Sequence, residues 1–265
     1  AEGITFDDLR NTLSKMKGVK AHVVGDTIVD TYTYTAMIVG QTKTPTISVR
    51  YEGQDDYVGG AGIVAKHLNA AGADVTFSTV LGDDKWRSFV IDDLRTAGVH
   101  MREVIDETRP TTNKNAIVCA DYRMLKVDTL DNRTISESIL EKLVDAIKTV
   151  ESDCIVFSDF RHGIFNKATI PTLSAAIPEG MFKVADSQVA SRWGDICEFQ
   201  GFDLITPNER EARFSLSDQD SVVRPLAQKL YEESKAKNLI LKLGPRGLIA
   251  YRPTEDKEDV RSFFA

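Results

Sequence analysis

The sequence predicts an α/β fold with three layers, in which helices flank both faces of a mostly parallel β-sheet. Short apolar runs of strand length alternate along the chain with longer segments that show helical periodicity. Alternation of this kind implies crossover connections, which place helices against a parallel sheet. Polar side chains follow the apolar runs, as they do where parallel strands end at a ligand-binding edge.

Six apolar runs are the strand candidates. In chain order they are Ala21–Val24, Val75–Val80, Cys154–Phe157, Phe182–Ala185, Asp203–Ile205 and Leu239–Leu243. Five segments between them repeat apolar residues at three- and four-residue spacing, as an amphipathic helix does. In chain order these helix candidates are Ile63–Ala71, Trp86–Ala97, Ser136–Val150, Lys167–Ala176 and Val222–Ala236. The alternation of the two kinds of segment favours a parallel sheet over an antiparallel one.

Two regions do not follow this alternation. Thr46–Tyr51 is one, and Ala116–Ala120 together with Met124–Val127 is the other; both are rich in β-branched residues and have no crossover helix nearby. We expect them to pair with each other as a small sheet that is separate from the main one. No internal repeat or long linker divides the chain, so one large domain is expected.

Composition limits the partners of this chain. Charged residues make up 28% of the sequence and the net charge is -7, which argues against a nucleic-acid-binding surface. No apolar run approaches bilayer length, and the N-terminal segment is too polar for a secretory signal, so we expect a cytoplasmic protein with no membrane partner. The cysteines are odd in number and far apart, which favours core thiols over disulfides or a thiolate metal site.

A cluster of glycines at residues 58–62 precedes a helical pattern. Glycines at this point let main-chain N–H groups approach a ligand at the start of a helix, which favours a polar small molecule. A tight turn without a ligand is the simpler alternative. The spacing Gly60-x-Gly62-x-x-Ala65 also fits a dinucleotide fingerprint, so an NAD-dependent oxidoreductase is another alternative. It is disfavoured because the glycines follow a polar stretch, not the first strand of a βαβ unit.

Polar residues after the predicted strands should gather at one edge of the sheet. They are Asp26 and Asp30, Asp83 and Asp84, Ser158 and Asp159, Asp186 and Ser187, Asn208 and Glu211, and Lys242 and Gly244. For Asp84 and Ser187 we prefer the simpler interpretation that they cap helices. The carboxylates of Asp30 and Glu211, with the amide of Asn208, suit hydroxyl recognition and a hydrated Mg²⁺ ion.

Six short motifs resemble one enzyme family when they are taken in order. They are Val24–Asp30 (VGDTIVD), Gly59–Gly62 (GGAG), Arg109–Lys114 (RPTTNK), Ser158–Phe160 (SDF), Thr206–Glu211 (TPNERE) and Leu241–Gly247 (LKLGPRG). From about Ala21 to the C-terminus the chain resembles the ribokinase-like (PfkB) carbohydrate kinases, and more narrowly those that phosphorylate heptose 7-phosphate on the way to ADP-heptose. The resemblance implies ATP-dependent phosphorylation of a sugar or sugar phosphate, with ATP and Mg²⁺ as cofactors.

The resemblance also implies a ribokinase-like domain over residues 1–265, with a small β-sheet lid formed by segments of about 31–58 and 110–130. It assigns substrate contacts to Asp30, Gly59, Gly60, Lys114 and Asp159. It assigns nucleotide contacts to Asn208, Glu211, Lys242, Gly244 and Gly247, with Glu211 organising Mg²⁺. Because an exposed apolar lid is often covered by a second copy, we expect a homodimer through the lid, with Met37 and Ile38 facing the partner.

The chain departs from the family in three places. Ile63 stands where these kinases usually carry an asparagine for the sugar, which leaves the acceptor open. Arg161 and His162 stand where the heptose kinases tend to have a lysine before the glycine. No D-x-x-G-A-G-D motif, the family's anion hole and catalytic base, occurs before Ala265.

From these departures we expect the base and the C-terminal part of the fold to lie beyond Ala265, with no catalytic residue inside the sequence. We also expect negligible ATP turnover by residues 1–265 alone. A noncatalytic sugar-binding relative of the same fold is the alternative that the departures favour. The acceptor hydroxyl, and whether a nucleotidyltransferase module follows, are left open by the sequence.

Overall fold

The computed structural model describes residues 3–38, 46–188 and 194–252, and the backbone of 259–263. Within them the strands are β1 (Lys20–Gly25), β2 (Thr27–Met37), β3 (Val49–Gly60), β4 (Asp74–Leu81), β5 (His100–Ile105), β6 (Thr112–Cys119), β7 (Tyr122–Thr129), β8 (Cys154–Asp159), β9 (Phe182–Ser187), β10 (Leu204–Ile205), β11 (Asn238–Lys242), β12 (Leu248–Arg252) and β13 (Asp259–Phe263). The α-helices are α1 (Phe6–Ser14), α2 (Ala61–Ala70), α3 (Lys85–Thr96), α4 (Glu137–Thr149), α5 (Thr169–Ala175), α6 (Glu209–Ser215) and α7 (Val223–Ser234). All five predicted helices are present with ends within two residues of the prediction, whereas α1 and α6 were not predicted. Across the described ranges, no helix combines the length and the apolar character needed to traverse a bilayer.

A nine-stranded sheet forms the body of the protein, in the order β13-β12-β11-β10-β9-β8-β1-β4-β5. The strands from β11 to β5 in this order run parallel, and β12 alone among the described strands of this sheet runs in the opposite direction, antiparallel to both β11 and β13. This confirms the predicted mostly parallel sheet, and all six strand candidates lie in it. The order reverses at β1, since the chain continues through β4 on one side and β8 on the other. Ligands bind at such a reversal in open α/β sheets.

Two apolar clusters cover the two faces of this sheet. Val23 and Val24, which are adjacent in β1, belong to opposite clusters because neighbouring side chains of a strand point to opposite faces. One cluster contains residues of α2 and α3, and the other contains residues of α4, α5 and α7. Phe157 and Phe202 pack at the centre of the second cluster, with ring centroids 5.7 Å apart. Helices therefore lie on both faces, and the three-layer architecture is confirmed.

The second sheet, called the lid sheet below, has four strands in the order β3-β2-β6-β7. The two irregular regions do fall in one separate sheet, but the prediction that they pair with each other is wrong. Strand β2 lies between them and pairs antiparallel with β3 and parallel with β6. It was missed because it follows β1 after the single residue Asp26, with no turn signal to mark its start.

Candidate functional site

The carboxyl ends of the parallel strands bring the predicted polar residues to one edge of the body. Gly25 of β1 is level with Ser158 of β8, and Ser158 is level with Asp186 of β9. Further along the edge, Asn208 after β10 forms a parallel bridge with Lys242 of β11. Because neighbouring strands are about 4.8 Å apart, the ends of β8 and β10 lie about 10 Å from each other.

At the base of the lid sheet, a carboxylate and an ammonium face each other without pairing. Asp30 of β2 is opposite Lys114 of β6, which is opposite Asp128 of β7. The side chains of Asp30 and Lys114 are half-buried, and neither side chain makes a hydrogen bond or ion pair with any residue in the described ranges. Burial raises the pKa of Asp30, and the Lys114 ammonium only partly offsets this. Burial and the nearby Lys126 lower the pKa of Lys114.

The glycines beside this pair leave room that other residues would fill. A Cβ added at Gly59 would fall on a carboxylate oxygen of Asp30. Gly60 has a φ of +59°, and a Cβ there would meet the Asp26 carbonyl oxygen at 2.5 Å. The Ala61 N–H donates to the same carbonyl at 2.9 Å, which ties the start of α2 to the end of β1. Gly59 and Gly60 are the last two residues of β3 in the lid sheet, so they do not open the βαβ unit that the dinucleotide alternative requires.

Two buried carboxylates hold the segment 160–164 near β1, where the strand order reverses. Asp26 accepts hydrogen bonds from the backbone N–H groups of Phe160 at 3.0 Å and His162 at 3.2 Å. Asp159 accepts from the Ser187 hydroxyl at 2.7 Å and forms an ion pair with Arg161 at 2.8 Å. Burial raises the pKa of Asp159 to about 7, although the Arg161 guanidinium opposes the rise.

These contacts change the interpretation of three predicted residues. Asp159 is 1% exposed and lies beneath the loop, so its contact with a substrate stays a prediction. Ser187 was expected to cap a helix but binds Asp159 instead, because the buried carboxylate needs a donor. Asp84 does cap α3 as predicted, with its carboxylate accepting from the Trp86 N–H at 3.0 Å.

The second group of predicted residues surrounds the start of α6. Asn208 and Glu211 form a capping box, in which the Asn208 side chain accepts from the Glu211 N–H at 2.9 Å. The Glu211 carboxylate in turn accepts from the Asn208 N–H at 2.6 Å. Glu211 is 5% exposed, so it orients Asn208 from below. Lys242 forms an ion pair with Asp186 at 2.9 Å, which also accepts from Thr206 at 2.9 Å.

A cleft of about 460 Å³ opens beside this group. Its lining includes Asn208, Arg210, Lys242 and Gly244. Gly244 has a φ of +60°, and no atom lies within 4 Å of the position where a Cβ would be, so its backbone is open to a ligand. Gly247 has a φ of +86° and accepts a hydrogen bond from the Leu243 N–H at 2.8 Å, which closes the tight turn between β11 and β12.

Lys126 is a residue of the lid site that sequence reasoning missed. It lies on β7, close enough to Lys114 to lower its pKa, and within 3.9 Å of Asp128. Alternate side chains of a strand share a face, so the sequence from Met124 to Asp128 already indicated that Lys126 and Asp128 lie on the same face. The register between β6 and β7 could not be known without the fold; it pairs Lys126 with Ala116, two residues from Lys114.

The side chains near α6 that could ligate a metal ion are few. No group of three or more His, Cys, Asp or Glu side chains suited to a metal occurs in the ranges that the structure describes. Glu211 offers one carboxylate, which is joined to Asn208 by the capping box. One carboxylate suits a hydrated Mg²⁺ ion that is held mainly by phosphate oxygens, not an all-protein metal site.

Comparison with known proteins gives a consistent result. The family model for pfkB family carbohydrate kinases matches residues 20–264. Bifunctional protein HldE of Desulfatibacillum aliphaticivorans is 27% identical over 252 residues, which cover 92% of this chain and 50% of that protein. Bifunctional protein HldE of Campylobacter jejuni strain RM1221 is 28% identical over 238 residues, which cover 88% of this chain and 49% of that protein. The chain therefore spans about half the length of these curated relatives.

Solved structures share the fold at lower identity. Phosphofructokinase-2 from Escherichia coli superimposes with a TM-score of 0.72 at 18% identity, covering 92% of this chain and 79% of that one. Ribokinase from Giardia lamblia gives a TM-score of 0.68 at 17% identity, and the match covers 91% of this chain and 79% of that one. These likenesses show a ribokinase-like α/β fold. With a family model that matches almost the whole sequence, the conclusion is that this chain belongs to the pfkB family of carbohydrate kinases.

Proposed function

We propose that this protein transfers the γ-phosphoryl group of ATP to a hydroxyl of a sugar or sugar phosphate, with heptose 7-phosphate as the first acceptor to test. The observation that carries the proposal is the unpaired Asp30 and Lys114 at the lid base, on the same edge as the cleft that Asn208 and Lys242 line. The resemblance of the sequence motifs to those of heptose 7-phosphate kinases supports that choice of first acceptor.

On the acceptor side, Asp30 is proposed to accept a hydrogen bond from a sugar hydroxyl. Gly59 leaves the carboxylate free to do so, because any larger residue would place its Cβ on the carboxylate. Gly60 lets the chain turn into α2 at the same point, and Lys114, which lies opposite Asp30, is proposed to donate to an oxygen of the same acceptor. Both charged groups are partly desolvated, so hydrogen bonds from a ligand to them are stronger than in water.

On the donor side, Asn208, Lys242 and Gly244 are proposed to contact the phosphates of ATP. The lysine supplies positive charge and Gly244 supplies open backbone. Gly247 holds that turn, and Glu211 holds Asn208 through the capping box. Mg²⁺ would be held through Glu211 and the phosphates, where it neutralises charge in phosphoryl transfer.

A noncatalytic sugar-binding protein is the second candidate, favoured by Ile63 in place of the usual asparagine. Both candidates bind a sugar through Asp30, but only the kinase forms ADP and a phosphorylated product. The two are therefore separated by turnover and not by binding.

The test is to measure binding and turnover with the same panel of ligands. Heptose 7-phosphate, fructose 6-phosphate and ATP with Mg²⁺ are each assayed for a rise in melting temperature, with NAD(H) as the control. Product formation is then followed by release of ADP. Stabilisation by ATP and by a sugar, together with release of ADP, supports the kinase, and loss of the sugar effect alone in Asp30→Asn supports the role of Asp30. Stabilisation by a sugar without release of ADP supports the noncatalytic candidate. Stabilisation by neither ligand would overturn the proposal.

We also propose that two copies associate through the lid sheet. Several large apolar side chains of this sheet and the adjoining Ile38 are exposed: Met37, Ile38, Tyr51, Leu125 and Val127. An exposed sheet of this kind is commonly covered by another chain. A second copy of this chain presents the same apolar surface, which allows an isologous interface.

A further inference from the structure

The β6–β7 hairpin of the lid sheet is joined to the body by two connections, residues 106–111 before β6 and residues 130–135 after β7. One arginine of each connection binds the backbone of the other. The Arg109 guanidinium donates to the carbonyl oxygens of Arg133 at 3.1 Å and Thr134 at 3.3 Å. The Arg133 guanidinium donates back to the carbonyl oxygen of Thr108 at 3.3 Å. The two connections are thus tied together in both directions.

Each guanidinium is also held by a carboxylate of its own connection. Arg109 forms an ion pair with Asp106 at 2.8 Å, and both side chains are less than a tenth exposed. Arg133 forms an ion pair with Asp131 at 2.6 Å. Hydrogen bonds from Arg133 lower the pKa of Asp131 to about 2, so this carboxylate stays charged at any physiological pH. The fixed guanidinium groups cannot swing away from the carbonyl groups without losing these partners.

The first connection is anchored to the body immediately before the hairpin begins. The Thr111 N–H donates to Asp84 at 2.7 Å, and the Thr111 hydroxyl accepts from the Gly82 N–H at 3.0 Å. Strand β6 starts at the next residue, and Lys114 follows two positions later. Any shift of this connection would therefore be transmitted to Lys114.

The tied connections also touch the loop that the buried carboxylates hold. A Cβ at Gly163 would meet the Arg133 carbonyl oxygen at 2.5 Å and would collide with the Arg109 guanidinium. The Ile135 N–H donates to the Gly163 carbonyl oxygen at 3.2 Å. The two connections and the segment 160–164 approach each other closely enough to require glycine at position 163.

We infer that Arg109 and Arg133 form a reciprocal clamp that sets the position of the β6–β7 hairpin, and with it Lys114, over the acceptor site. The role in acceptor binding rests on the proposed function, whereas the role in holding the hairpin does not. Both arginines are positioning residues. Lysine cannot replace either one, because a single ammonium cannot reach a carboxylate and a carbonyl group of the other connection in the fixed fork of a guanidinium.

The test uses Arg109→Lys, Arg133→Lys and the double variant in the full chain, with Arg95→Lys as a matched control. Arg95 is an exposed residue of α3 whose ion pair with Glu103 lies outside the clamp. Hydrogen exchange is measured for residues 112–119 and 122–129 and for the core strands β1 and β8. We expect about tenfold faster exchange in the hairpin for each clamp variant, and little further change in the double variant because either substitution alone releases one connection from the other.

Arg133→Lys keeps the test decisive if Arg109→Lys does not fold, because the Arg133 side chain is 71% exposed. Unchanged exchange in the hairpin would overturn the clamp. Exchange that rises equally in β1 and β8 would also overturn it, because the arginines would then stabilise the whole domain. No ligand is needed, so this result stands whether or not the proposed function is correct.

Ligand affinity separates positioning from stability. If the clamp places Lys114, the dissociation constant for heptose 7-phosphate rises about tenfold in the clamp variants, while that for ATP with Mg²⁺ is unchanged. If the native chain binds heptose 7-phosphate and the clamp variants bind it with the same affinity, the positioning role is rejected.

Discussion

At the scale of single residues, Asp30 and Lys114 carry the strongest indication of a ligand. Burial disfavours the charge on both, as their oppositely directed pKa shifts show. A protein that needed them only for stability would pair them or expose them. Their half-buried and unpaired state is instead what a site that binds hydroxyl and anionic oxygens requires.

Gly59→Ala should remove acceptor binding while the fold persists. The new Cβ would displace only the Asp30 carboxylate, the movable end of a side chain, and the backbone at Gly59 needs no positive φ. We expect the dissociation constant for heptose 7-phosphate, measured by calorimetry, to rise about tenfold. Gly53→Ala is the control in the same strand, because its Cβ would meet nothing within 4 Å. Equal affinity of the two variants would contradict this role of Gly59.

Asp159 should make the protein less stable as the pH rises. Its pKa is raised to about 7 in the folded state from 3.8, so the folded protein holds a proton that the unfolded chain has lost between those values. The stability that this proton supplies is lost as the pH rises from about 4 to 7. Asp159→Asn should therefore gain melting temperature relative to the native chain from pH 5 to pH 8. A difference that is constant over this range would refute the assignment.

At the scale of elements, helix α6 links stability to the nucleotide cleft. It is only seven residues long, so its capping box is a large part of its local stabilisation. The same asparagine that caps the helix lines the cleft. Structural and binding roles therefore coincide in Asn208 and must be separated by the choice of substitution.

Asn208→Ala should lower the free energy of unfolding by about 1 kcal/mol, because the cap is lost. Asn208→Asp keeps a capping oxygen but adds a negative charge near the proposed phosphates. We expect urea denaturation to show a loss of stability only for alanine, and calorimetry to show weaker ATP binding for both. Ser136→Ala, which removes the cap of α4, should lose stability with ATP affinity intact. Native ATP affinity in Asn208→Asp would argue that Asn208 lies away from the phosphates.

At the scale of the whole molecule, the reversal of strand order places two kinds of site side by side. The lid sheet grows from the end of β1, at the reversal, whereas the cleft beside α6 lies three strands away at β10. An acceptor at the lid and a nucleotide at the cleft would thus approach each other along one edge. The tertiary arrangement, more than any single residue, puts the two proposed sites on one edge of the sheet.

Association through the lid sheet is predicted to depend on its exposed apolar surface. Sedimentation velocity should give twice the 29.4 kDa mass of the chain, shifting toward one chain in Leu125→Lys. Leu9→Lys on α1 is the control, because Leu9 is similarly exposed but lies outside the lid sheet. A native monomer at all concentrations, or equal effects of the two substitutions, would contradict an interface at the lid.

Local patterns determined the sheet class, five helices and the set of polar strand ends, because burial imposes a period on each element that a single sequence shows. The glycines and the capping residues were also visible, since backbone angles and unsatisfied N–H groups restrict residue type locally. Asp84 and the Asn208–Glu211 pair illustrate this.

Only the tertiary structure decided which residues meet. The position of β2 between β3 and β6, the unpaired state of Asp30 and Lys114, and the burial of Asp159 all depend on register and on packing between distant segments. The Arg109–Arg133 clamp joins residues 24 positions apart through backbone carbonyl groups, which carry no side-chain signature. Periodicity reports the faces of an element, whereas pairing between elements depends on contacts that no local pattern encodes.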